Sequence, residues 1–320
     1  MKSKLFALLL VIVAFSCKKE SQLEKKIAQI GIEIKIERFD TLFAKASSNK
    51  LLELKKEYPF MFFEKYEEDF WLAKQKDTIQ QMLSREVEKT FVNTAPLALE
   101  IESLFNHLKY YFFEFRAPRV ITTTNSVDYR NKVIVTDTIA LIALDTYLGA
   151  DHDFYAGIQK YLRSNFKKEQ LVVDLASAYA KKYSYNYKRH TLLDEMIYSG
   201  KQLYFKDLVI PFKTEAERIG YTPEQLNWAI SNESYIWRYF VERELLFSTD
   251  SKLPSRFIND APFSKFYLET IDSSSPGRLG QYIGWQIVRA YMQQNKVSLK
   301  EMLIKSSEEI FNNSKFKPRK

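Results

Sequence analysis

The stretch "IGIEIKIERFD" (residues 30–40) decides the fold class. Ile30, Ile32, Ile34 and Ile36 alternate with Glu33, Lys35 and Glu37, the period-two pattern of a strand with one wet face and one buried face. Most of the chain around it reads as helix. The expectation is therefore an α+β protein, predominantly helical, with a small mixed β-sheet.

Before that stretch, residues 17–29 read as a polar tether, and before the tether stands "LFALLLVIVAFSCKKE" (residues 5–20). Lys2 and Lys4 form a basic start, Leu5 to Phe15 form an apolar run, and small residues lead up to Cys17. This is the anatomy of a secretory signal over residues 1–16. A span needs roughly 20 apolar residues, so the run is too short to remain in the membrane as a helix. Cys17 is the one cysteine of the chain. A cleavage site followed by cysteine resembles a bacterial lipoprotein signal, in which the thiol is acylated and becomes the mature N-terminus. Ala14 stands three positions before the cysteine, where a leucine is usual. Two or more acyl chains hold a soluble body to a membrane where one does not. Once the cysteine is acylated no disulfide framework is possible, and the core alone must hold the fold.

After that stretch come helical segments over about 40–56, 64–92 and 95–112, and Pro118 breaks the pattern. "RVITTTN" and "NKVIVTD" read as two β-branched strands joined by the turn-rich "SVDY". "TIALIALDTYLGADHDFY" ends in a turn at Gly149, and the chain beyond it is nearly all helix. Thr222 with Gln225, and Ser298 with Glu301, carry capping-box spacing. In "SPGRLGQYIGWQIVRAY" (residues 275–291), Gly280 and Gly284 lie one turn apart, the spacing of a tight helix contact. With 8 glycines and 9 prolines against 24 Phe and 20 Tyr, one aromatic-rich globular domain is expected over 30–312. A solvated basic tail follows over 313–320.

The formal charge of +8 falls to +6 once Lys2 and Lys4 leave with the signal. The export signal places the domain out of reach of nucleic acid. The basic runs read as tether ("CKKE"), tail ("KFKPRK") and a wet helix end ("KKYSYNYKRH"), the last with a binding patch as its alternative.

The blocks "IKIERFDTLF", "EYPFMFFEKY", "ALDTYLGADHDFY", "LLDEMIYSGKQLYF" and "SSPGRLGQYIGWQIVRAYM", in this order, resemble the GldB family of gliding-motility lipoproteins. The resemblance implies a lipoprotein in the cell envelope of a gliding Gram-negative bacterium, its domain in the periplasm. It also implies partners in the gliding and type IX secretion apparatus, with the membrane held through the N-terminal lipid. The same blocks look like a family of zinc peptidases, in which a helix bearing HExxH precedes a segment like "LLDEMIYSGKQLYF". That likeness implies a zincin-like domain.

Catalysis by zinc needs three protein ligands and an open position, and HExxH supplies two imidazoles on one helix face. This chain has three histidines, His107, His152 and His190. In "LVVDLASAYAKKYSYN" (residues 171–186) the motif is absent, and Val172, Leu175, Ala176, Tyr179 and Tyr183 form a packing stripe. The reading is a degenerate zincin-like scaffold with no catalytic residue, no metal and no cofactor, Cys17 being the one assigned site. The alternative ligand set is His190 and Asp194 four apart on a helix, Glu195 beside them, and the pair His152 and Asp153. His107 reads as a packed or surface histidine. Trp228, Trp237 and Trp285 read as core anchors, with a sugar or peptide groove as the alternative. No G-x-S-x-G elbow, Walker loop, G-x-G-x-x-G or EF-hand loop occurs. A non-catalytic scaffold is therefore expected, with an envelope metallopeptidase or a peptidoglycan- or peptide-binding module as the alternatives.

Overall fold

A computed structural model of the protein describes residues 22–185 and 189–320. Cys17, its apolar run and residues 186–188 of the basic run lie outside the described residues. The expected tether is in part a docked helix, α1 (Gln22–Ala28), which buries Ile27. Glu24 there meets the buried His107 at 3.2 Å.

Of the stretch that opened the sequence reading, only β1 (Ile36–Glu37) is strand. The Ile32 and Ile34 amides donate instead to the side chains of Asn106, at 2.9 Å, and Glu102, at 3.0 Å. The neighbour on this side is a helix, which offers side-chain acceptors where a strand would offer a ladder. The alternation keeps its other meaning, for Ile32, Ile34 and Ile36 all pack on the main core.

Five helices follow: α2 (Phe39–Ala44), α3 (Ser48–Glu57), α4 (Glu68–Lys76), α5 (Thr78–Thr90) and α6 (Ala95–Tyr111). The helix expected over 64–92 is broken at Asp77, whose side chain accepts from the Gln80 amide at 2.8 Å and caps α5. Phe39, Phe43, Tyr58, Phe62 and Trp71 gather in a small aromatic core here, beside the sheet.

The sheet is completed by β2 (Arg119–Thr123), β3 (Val133–Val135) and β4 (Ile139–Ala143), in the order β1-β2-β4-β3. β1 and β4 flank β2 in parallel, and β3 runs antiparallel to β4, with Ile134 opposite Leu141. The two strands read as neighbours are thus separated by β4. This strand buries Ala140, Ile142 and Ala143, and an apolar run that covered on both faces belongs inside a sheet. The sheet is mixed and small within a mainly helical chain, as the sequence predicts.

The second half holds α7 (Lys160–Arg163), α8 (Leu171–Tyr183), α9 (Leu192–Val209), α10 (Glu215–Ile219), α11 (Pro223–Ser231) and α12 (Glu233–Glu242). It closes with α13 (Leu253–Phe257), α14 (Glu269–Ser274), α15 (Leu279–Gln294), α16 (Leu299–Ile304) and α17 (Ser307–Ser314). The capping boxes at Thr222 and Ser298 form as read, and two more form at Thr191 and Thr214.

The main core is built around α9 and α15. A side chain on Gly200 would strike the Gly284 carbonyl, and one on Gly284 would strike the Met196 carbonyl. The two helices therefore touch backbone to backbone at Gly200 and Gly284, while Gly280, one turn earlier, lies against Phe257 and Ile258 at the end of α13. Residues 313–320, read as a solvated tail, in fact lie on the body. Phe316 meets Trp237 edge-on at 5.2 Å, and the Arg319 amide donates to Glu233 at 2.9 Å. Among the described residues no helix is long and apolar enough to cross a membrane.

Candidate functional site

The alternative metal ligands are not brought together. Among the described residues no three His, Cys, Asp or Glu side chains are grouped to hold an ion. His152 caps a short 3-10 turn, stacks on Phe154 and lies 3.5 Å from Glu86. Asp194 is occupied as a cap: it accepts from the His190 and Thr191 amides at 3.0 Å and from the Ser307 hydroxyl. Glu195 pairs with Arg189 at 3.0 Å. His107 is packed, its Nδ1 2.7 Å from the Ser103 carbonyl. These donors do not fit a zinc ion.

The tryptophans divide. Trp285 is fully buried and its indole N–H donates to Asp207 at 2.9 Å. Trp237 is partly buried among Phe311 and Phe316. Trp228 is partly buried and also lines a shallow surface pocket with Tyr235, Tyr239 and Phe266.

The site that does emerge is a polar cleft of about 550 Å³ beside α8. α8 presents Asp174 and Ser177 to it. The other walls come from β3's start (Lys132), the α7 region (Lys160, Asn165, Lys167), the end of α9 (Lys206), α10 (Arg218) and the turn before α15 (Arg278).

Most of the charges here are matched. Lys132 meets Asp174 at 2.7 Å, and Tyr147 donates to the same carboxylate at 2.9 Å. Burial, then Asp174, pushes the Tyr147 hydroxyl far above its ordinary range. Arg218 pairs with Asp207, which also accepts from Arg289 at 2.7 Å, while Arg289 reaches Glu215 at 3.1 Å. Burial opposes the Arg289 charge, but Asp207 and Glu215 outweigh it and hold its pKa above the usual value. Arg278, in the left-handed region at φ 61°, donates to the Gly220 carbonyl at 2.9 Å and lies 3.5 Å from Asp260.

Lys160, Lys167 and Lys206 are the exceptions, and of these Lys206 alone is buried. It is 8 % exposed, donates to the Arg218 carbonyl, and makes no ion pair among the described residues. Burial pushes its amine down to about 7, against the pull of Asp174. The sequence gives no warning of this, because "YFKDLV" looks like any charged step on an amphipathic helix.

A mainly helical α+β protein with a charged cleft beside its central helix pair is what fold and site define. The family described as "Gliding motility protein GldB" matches residues 20–318, and the chain belongs to this family of gliding-motility lipoproteins. No curated protein and no solved structure matches it.

Proposed function

We propose that this chain is a lipid-anchored, non-catalytic scaffold of the gliding apparatus and of the associated type IX secretion machinery. In this reading Cys17 carries the lipid, the body stands in the periplasm of a Gram-negative envelope, and a metal-free zincin-like domain supplies the binding surface. The observation that carries it is the cleft beside α8. Its walls carry lysines, arginines and amides, three of the six cations paired with carboxylates, and α8 offers Asp174 and Ser177 in place of a ligand set. Paired guanidinium and ammonium groups suit holding a partner.

Two measurements test it. A clean deletion is expected to abolish both gliding and secretion to the cell surface, and intact gliding with intact secretion overturns the proposal. Metal analysis of purified protein is expected to find no stoichiometric zinc. Zinc at one ion per chain, lost together with peptidase activity in His190→Ala, establishes the metallopeptidase instead.

A further inference from the structure

The cleft beside α8 has six cationic side chains and two carboxylates in its walls. Lys132 is matched by Asp174, Arg278 by Asp260, and Arg218 by Asp207 behind the wall. That leaves Lys206 in the wall, with Lys160 and Lys167 exposed at the rim. None of the three makes an ion pair among the described residues. An ammonium group has three donors and Lys206 uses one, on the Arg218 carbonyl. A buried cation with donors to spare, facing an open cavity and lacking a counter-ion, is costly unless an anion completes it.

The surplus is small and spread along the cleft, which suits separate single charges better than a dense polyanion. Asp174 and Asp260 would repel a phosphate cluster. The amide side chains of Asn165, Gln170 and Gln225 lie in the same walls; Asn165 and Gln170 each spend one N–H on a carbonyl, of Gly220 and Glu217, and Gln225 spends its oxygen on the Thr222 amide, and their remaining N–H and C=O groups match a peptide main chain. A volume of about 550 Å³ falls within the range of sites that enclose a ligand.

We infer that the cleft receives an acidic peptide segment of a partner protein, one carboxylate seated on the Lys206 ammonium and others meeting Lys160 and Lys167 at the rim. The amides hold the peptide main chain. Binding draws a proton onto the Lys206 amine, because a carboxylate in contact favours its charged form. The charged groups acting on Lys206 are Asp174 on α8, Arg218 on α10 and Arg278 before α15, with Asp207 next to it on its own helix. These are carboxylates and guanidiniums, which leaves the amine to change charge between pH 7 and pH 8.

The inference rests on the binding role proposed above, and the two fail separately. The test uses the full-length lipoprotein in detergent micelles and a fluorescent peptide of alternating Gly with Asp or Glu. Its twin, with Asn and Gln in place of the acids, is run beside it, and anisotropy is the readout. The acidic peptide is expected to bind at least about tenfold more tightly than its twin. Lys206→Met is expected to weaken it about tenfold or more. Lys160→Glu with Lys167→Glu, at exposed positions where the fold is indifferent, is expected to weaken it about fivefold. From pH 7 to pH 8 the wild-type affinity is expected to fall about fivefold, and in Lys206→Met to stay level. Equal binding of both peptides, or unchanged affinity in both variants, overturns the inference. So does displacement of the peptide by inorganic phosphate at equal concentration. A chain that restores gliding to a deletion strain yet binds neither peptide keeps its role and loses this ligand.

Discussion

Lys201 and Lys206 lie on the same helix, α9, and both are buried, at 2 % and 8 % exposure. Burial pushes both amines down, to about 8 and about 7. Their surroundings differ. Lys201 donates to the Leu303 carbonyl at 3.1 Å and to the Lys305 carbonyl, groups left without helical partners where α16 ends. It is a capping group that happens to be charged. Lys206 has one carbonyl, and beyond it the open cleft. Burial of a lysine therefore does not by itself mark a site. The number of acceptors and the presence of open space do.

The largest effect is expected where the comparison has its common support, the seam that fixes α9 against α15. Gly284→Ala drives a methyl group into the Met196 carbonyl, with the Met196 Cα at 3.0 Å, and main chain on both sides leaves nothing to move aside. A loss of about 4 kcal/mol or more is expected, read as the disappearance of a cooperative melt. A melting temperature within a few degrees of wild type would break the account of the seam. Asp207→Ala comes next. It strips the counter-ion from Arg218, one of two from Arg289 and the acceptor from the Trp285 indole, at a cost of roughly 3–5 kcal/mol by chemical denaturation.

The pH response is smaller. The Lys206 amine loses its proton near pH 7 in the folded chain, whereas an unfolded lysine keeps it to about 10.4. Between those values the unfolded state binds more protons, so stability rises with pH, and the penalty is fully present below pH 7. Unfolding free energy is expected to climb by about 3 kcal/mol from pH 7 to pH 9, about 2 from Lys206 and about 1 from Lys201, whose amine titrates in the same range, and Lys206→Met flattens more than half of that slope. The smallest effects discriminate best between the two lysines. Lys206→Met is expected to raise stability at pH 7 by about 1 kcal/mol, since it removes an unmatched charge. Lys201→Met is expected to lower it by about 1–2 kcal/mol, since it orphans two carbonyls. Equal shifts would erase the distinction.

Much of the frame was legible in local pattern. The α+β class, the capping boxes at Thr222 and Ser298, and the close helix contact at Gly284 each follow from a few neighbouring residues. β1 was over-read, because alternation reports which face is buried and not what lies alongside. The Ile32 and Ile34 amides pair with α6 side chains and not with a strand. The cleft was not legible at all. Its cations come from Lys132 to Arg278 on separate elements, and each alone is an ordinary surface lysine or arginine. Long-range folding creates the cluster, and no spacing rule anticipates it.

The way the chain finishes has a practical bearing. Glu233, 2 % exposed, receives the Tyr282 hydroxyl at 2.7 Å from α15 and the Arg319 amide at 2.9 Å from the last residues. The C-terminus is thus stitched to the middle of the protein through one acidic side chain. Removing the final few positions takes away the Arg319 amide and leaves the Glu233 carboxylate to the Tyr282 hydroxyl alone.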